Sequence, residues 1–234
     1  MVGQRQLKRD AQRERILDAA RALFASRGFD LVTMGDVAEE AGVVRATVFN
    51  HFGSKGALVE AITEGVLDAW RGLLDNALAD ETSSTPTLVR ALFEHMGLGI
   101  EQFHAFYRGV FREIMKIQVG LAEGGVAVHA NERAHARLER LVARGQQRGD
   151  LSRSFATADL VSTFMSLANG TITHWLYESA AGSLRERMRS AADIWLGPVA
   201  AGESRSEPLP DLFGEIEWLP PVTPISRARS RRKP

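Results

Sequence analysis

Arg45, Ala46, Thr47, Asn50 and His51 lie within seven positions of one another and are all short or basic, with no acid among them. On one helix, Arg45 can fork to guanine or to a phosphate. Thr47 can donate or touch a thymine methyl, and Asn50 and His51 can donate to phosphate oxygens. Gly53-Ser54-Lys55 follows at once. The free amides of a helix opening there, with the Lys55 ammonium, make a second phosphate site.

Such side chains need a frame that holds them clear of the body. Thr33 suits a helix N-cap, because its hydroxyl can accept from an amide two or three residues on. Met34, Val37, Ala38 and Ala41 then recur at helical spacing, and Gly42 falls where that helix should end. A second short helix over Val44 to His51 turns Val48 and Phe52 inward. Small Ala38 lets the two helices approach closely. This is the layout of a helix-turn-helix, whose second helix enters a DNA major groove. From spacing alone, an ordinary helical hairpin with a polar face stays open as the alternative.

The stretch T-M-G-D-V-A-E-E-A-G-V at Thr33 to Val43, then F-x-H-F-x-S-K at Phe49 to Lys55, then Ala57-Leu58, resembles the DNA-binding domain of the TetR family of transcriptional regulators. The likeness extends back over Arg15 to Ala20, Leu23-Phe24 and Gly28-Phe29, and covers residues 10 to 60. Two positions depart from the family pattern. Val44 stands where Ser is usual, which removes a cap, and Phe49 stands where Tyr is usual, which removes a hydroxyl. The resemblance implies DNA contacts from Thr33, Arg45, Ala46, Thr47, Phe49, Asn50, His51 and Lys55, and the two departures imply either weaker backbone anchoring or anchoring moved to Thr33, Arg45, His51 and Lys55. It also implies an all-α fold of about nine helices, a homodimer, a pseudo-palindromic double-stranded DNA operator and a small-molecule effector.

The chain has 234 residues, 44% hydrophobic and 25% charged, with zero net charge. A DNA binder so balanced must concentrate positive potential locally. Residues 1–27 do so, with seven basic against three acidic side chains. Cysteine is absent, which excludes disulfides and thiolate-bound metals. The first residues are polar and charged rather than an apolar signal region, and no run reaches the roughly 18–20 apolar residues that span a bilayer. A cytoplasmic protein without membrane contact is expected.

Residues 1–9 read as a flexible basic arm, and 10–54 as the DNA-binding domain with a first helix over Asp10 to Arg27. Residues 55–197 read as a ligand-binding and dimerisation domain, and 198–234 as a Pro-rich, basic tail. A long amphipathic helix runs from residue 55 to about 80. In the resembled family this helix links head to body. The apolar run over 87–118 should split near residue 101, because Gly97 and Gly99 weaken a helix. A polar helix over Ala130 to Gln147 follows, then apolar helices over Thr157 to Glu178 and Leu184 to Leu196. Ser162, Ser166, Ala168 and Gly170 permit close helix approach between subunits. Phe213, Ile216 and Trp218 can pack on the body as an extended strap.

Aromatic and methionine side chains on the apolar helices read both as plain core and as the lining of an adaptable apolar cavity. The cavity candidates are Trp70, Phe103, Phe106, Tyr107, Phe111, Met115, Met165, Asn169 and Thr173, with His95, His104 and His174 as further polar spots. No G-x-S-x-G, glycine-rich phosphate loop or H-E-x-x-H is present. The resemblance implies a sequence-specific transcriptional repressor released from its operator by a small hydrophobic ligand, and no catalytic residue, cofactor or metal is expected. The rival readings are a small-molecule-binding protein with vestigial DNA binding, motivated by Val44 and Phe49, and an enzyme that uses the cavity.

Overall fold

The computed structural model describes residues 3–118, 121, 126–177, 182–201 and 210–212. Those residues form nine α-helices and, apart from one isolated bridge between Leu151 and Ala200, no β-structure. The helices are α1 (Gln4–Arg27), α2 (Met34–Glu40), α3 (Arg45–Phe52), α4 (Lys55–Ala79), α5 (Thr85–Gln102), α6 (His104–Gln118), α7 (Val126–Arg148), α8 (Thr157–Tyr177) and α9 (Leu184–Leu196). None is long and apolar enough to cross a membrane.

The first three helices and the start of α4 make the head. Helix α1 begins at Gln4, so most of the stretch expected to be a flexible arm is helical. Its buried stripe of Ile16, Leu17, Ala19, Ala20, Leu23 and Phe24 starts only in its second half, and Gly28 ends it at φ +81°. Thr33 opens α2 with a capping box. Its hydroxyl accepts from the Asp36 amide at 3.2 Å, and its own amide donates to the Asp36 carboxylate at 2.7 Å. Gly42 makes the turn at φ +64°, a conformation that strains any residue with a Cβ. Buried Ala38 leaves α3 close against α2.

The body packs α4 against α7 and α5 against α9. Arg144 of α7 donates to the Leu78 and Ala77 carbonyls at 2.8 and 2.9 Å, so a cation closes the C-terminal end of α4. The expected break in the apolar run falls at Phe103, the C-cap of α5, while Gly97 and Gly99 both lie inside that helix. Gly97 serves packing instead. A Cβ there would fall 2.8 Å from the backbone Cα of Arg185 in α9.

The same pair of helices is tied by Glu94, which is 5% exposed and takes the guanidinium groups of Arg185 and Arg189. Burial opposes its ionisation, but the hydrogen bonds from Arg189 and Arg185 outweigh burial and hold the carboxyl below its ordinary range. The stabilisation is complete above the ordinary glutamate value of 4.5 and is lost as pH falls through the lower native value. Glu94→Ala is therefore expected to cost about 2 kcal/mol near neutral pH, since both arginines are partly solvated. That is a fall of roughly 4–8 °C in unfolding midpoint. The gap between parent and variant should narrow below pH 4, and a gap of equal size at both pH values would refute this assignment.

Leu212 is buried, and its carbonyl accepts from the Asn76 amide at 2.7 Å, so residues 210–212 lie against the body. Phe213, Ile216 and Trp218 lie outside the described residues.

Candidate DNA interface and ligand cavity

Helix α3 stands on two buried anchors, Val48 and Phe52. Its outer face carries exposed Arg45, Ala46, Phe49 and Asn50, with Thr47 half-buried beside them. The Arg45 guanidinium lies 5.3 Å from the centre of the Phe49 ring, a cation–π contact that pre-positions it. Val44 is the N-cap and makes no side-chain cap bond. The sequence therefore brings its proposed base-reading residues together on one solvent-facing surface.

The expected anchors are more occupied. The Thr33 hydroxyl belongs to the capping box, donating to Asp36 at 2.6 Å. His51 Nε2 pairs with Gln12 Oε1 at 3.1 Å. Partial burial, followed by the charges of Arg9 and Arg13, pushes the imidazole below its usual value of 6.5. The Lys55 ammonium donates to the Phe29 carbonyl at 2.7 Å and sits 4.2 Å from the centre of the Phe29 ring. Phe29 in turn meets Phe24 edge-on at 5.2 Å. No local signal in the sequence announces the pairing of Lys55 with Phe29, because 26 residues separate them.

The body holds an apolar cavity between α4, α5, α6 and α8, of about 60 Å³. Among the cavity candidates, Trp70, Tyr107, Phe111, Met165 and Asn169 line it. The Trp70 ring stacks on Phe164 with centroids 6.4 Å apart. Val66, Leu67, Met96, Ile100, Ile114, Ala168 and Ile172 also line it. These aliphatics carry no signal that separates cavity wall from ordinary core. Phe106 is buried outside this lining, and Phe103 is half-buried at the junction of α5 and α6. The Tyr107 hydroxyl is fully buried with no hydrogen-bond partner, and burial pushes its ionisation far up. His95 is bonded to the Ala91 carbonyl at 2.6 Å, and His104 packs edge-on against Trp175 at 4.9 Å. Among the described residues no cluster of three His, Asp or Glu is placed to hold a metal ion.

Met115 and Thr173 belong to a different space. They line an open groove of about 790 Å³ between the head and the body, with Arg27 to Leu31 on one side and α6 and α8 on the other. Gly109 of α6 allows this approach, since a Cβ there would lie 2.6 Å from Phe29 Cβ.

The outer face of α8 and α9 leaves Ile194 68% and Phe155 44% exposed, beside Leu167 and Pro198. Ser162, Ser166 and Gly170 form an exposed strip on α8, whereas Ala168 points inward and is buried.

Residues 16–62 match the sequence profile of the bacterial regulatory proteins, tetR family. The transcriptional repressor KstR2 of Mycobacterium tuberculosis is 31% identical over 96 residues, which is 41% of this chain and 48% of that protein. The chain thus spans about half the length of the curated relatives it matches first. Two solved structures share the fold at low identity. FadR of Thermus thermophilus, in complex with lauroyl-CoA, superposes with a TM-score of 0.59 at 22% identity, covering 84% of this chain and 99% of that one. RolR in complex with resorcinol gives 0.63 at 21% identity, covering 88% and 98%. The capped two-helix head and the profile match agree over residues 16–62, and that segment carries the sequence pattern of the tetR-family DNA-binding domain.

Proposed function

We propose that this protein is a cytoplasmic, sequence-specific transcriptional repressor that leaves its operator when a small, largely apolar molecule enters the body. The observation that carries the reading is the exposed face of α3, where Arg45, Ala46, Thr47 and Asn50 sit together over the buried anchors Val48 and Phe52. Such a face fits a major groove, with Arg45 and Thr47 toward base edges and Asn50 toward phosphate. Residues 10–54 form the reading head and 55–197 the effector and pairing body. No catalytic role is assigned to any residue.

The exposed apolar face of α8 and α9, with its strip of small residues, supports a two-fold homodimer, which a pseudo-palindromic operator requires. The ligand site is the cavity beside Trp70 and Tyr107. At about 60 Å³ it is far below the roughly 300–1,000 Å³ of occupied ligand sites. Entry of an effector therefore spreads α4, α6 and α8. Helix α4 starts at Lys55 in the head, so spreading tilts the head and weakens its fit to the operator. Bound lauroyl-CoA in FadR and resorcinol in RolR support a small-molecule effector for this architecture.

A second reading, a ligand-binding protein with weak DNA contact, draws on the internal bonds of Lys55 and His51. Selection of random duplexes by the purified chain separates the two. The expected result is one enriched sequence with two-fold symmetry, bound by a particle of dimer mass in light scattering at micromolar concentration. No enrichment, or a monomer mass, would sink the repressor reading.

A further inference from the structure

The groove between head and body and the apolar cavity share one wall. Phe111 of α6, 3% exposed, lines both. One helical turn before it, Tyr107 brings its unpartnered hydroxyl to the cavity. On the groove side, Arg108 and Arg112 lie four residues apart on α6 and line the groove together with Arg27 of the head, and Asp30 is the one carboxylate among the described lining residues; Arg112 also has an interaction of its own. Arg108 makes no ion pair among the described residues. Arg27 has only a 3.9 Å contact with Asp36, and its own side chain is exposed while that of Asp36 is half-buried.

We propose that the groove is an anion-binding mouth that takes the charged end of an amphipathic ligand whose apolar end fills the cavity behind Phe111. The assignment rests on the effector reading above and gives that effector a chemical class: an apolar chain or ring, one hydrogen-bond acceptor near Phe111, and a carboxylate or phosphate at the outer end. The acceptor takes the Tyr107 hydroxyl, whose burial without a partner is otherwise a cost. The anion takes Arg108 and Arg112 in fork geometry. Size separates the two compartments, because the cavity is about 60 Å³ and the groove about 790 Å³. A ligand so placed touches Arg27 of the head and α6 of the body together, so its charged end fixes the head directly, while the apolar end acts through α4.

The test uses the purified full-length chain with three ten-carbon probes, decanoate, monodecyl phosphate and 1-decanol, measured by calorimetric titration. Both anions are expected to bind at least tenfold more tightly than the alcohol. The exposed double variant Arg108→Gln/Arg112→Gln should bring that ratio below about threefold while changing the affinity for decanol by less than twofold. Whichever anion binds more tightly identifies the head group as carboxylate or phosphate. Equal binding of anions and alcohol by the parent protein, a preference that survives in the double variant, or no binding of any probe overturns the proposal. A cavity-filling Met165→Phe variant separates this from the wider reading. If it removes decanol binding while the parent protein shows no anion preference, only the anionic mouth fails. If it leaves decanol binding untouched, the cavity itself fails as the effector site.

Discussion

Replacing Arg45 and Thr47 together by alanine is expected to lower affinity for the selected operator about a hundredfold while leaving non-specific DNA binding within about threefold. One good base contact discriminates by ~1–3 kcal/mol, and tenfold in affinity is ~1.4 kcal/mol. Two contacts therefore account for the loss. The discriminating feature is the ratio rather than the absolute affinity, because loss of a phosphate contact weakens binding to all sequences alike, and lowers the salt slope only where the lost group is a cation. Asn50→Ala supplies that contrast, with a uniform loss across sequences. Arg45 also loses its contact with the Phe49 ring, an exposed pair worth ~0.5–1 kcal/mol, so thermal unfolding is measured beside binding. A uniform, small loss for the Arg45/Thr47 variant would mean that α3 docks by another face.

Gly109→Val should have a comparable effect on operator binding from a site that faces no DNA. The new side chain would meet Phe29, whose Cβ would already be 2.6 Å from a Cβ at position 109. Phe29 cannot withdraw alone, because Lys55 holds its carbonyl and its ring, and Phe24 packs against its edge. The head must shift as a unit relative to α6. Overpacking costs ~1–3 kcal/mol, a fall of roughly 2–12 °C in unfolding midpoint. Operator affinity should fall at least tenfold, since in the proposed homodimer two heads must keep the spacing of two half-sites. Phe29→Ala in the same chain should restore part of the loss, a coupling that a double-mutant cycle reads directly. An unchanged operator affinity in Gly109→Val would show that this contact does not set the position of the head.

These two sites also mark where sequence reasoning reaches and where it stops. The helix-turn-helix was readable because every signal in it is local: the Thr33 cap, the Gly42 turn, the spacing of Val48 and Phe52. The apolar helices were readable from periodicity, and α9 was placed at its observed ends. What was lost depends on partners distant in sequence. Gly97 reads as a helix breaker, yet it stays helical because α9 lies against it. Nothing near Lys55 in the sequence announces that its ammonium meets the Phe29 carbonyl, 26 residues away. Within the cavity, Trp70, Tyr107, Phe111, Met165 and Asn169 were recognisable by residue type, whereas Leu67 and Ile172 look like any core aliphatic. Helix α1 starts earlier than its apolar stripe, because its first turns are held by backbone bonds rather than by burial.

Phe164 lies between two indoles, stacked on Trp70 and edge-on to Trp195 at 5.8 Å. Trp70 faces the cavity, while Trp195 lines the outer recess of α8 and α9 and donates to the Leu160 carbonyl at 3.1 Å. The protein thus carries an indole at the cavity and another at the outer recess. If the proposed assignments hold, quenching or a colour shift from Trp70 is expected on addition of an effector, and the same signal from Trp195 on pairing of subunits. The chain has two further tryptophans, Trp175 and Trp218, so variants that keep Trp70 alone or Trp195 alone are what tell the two events apart.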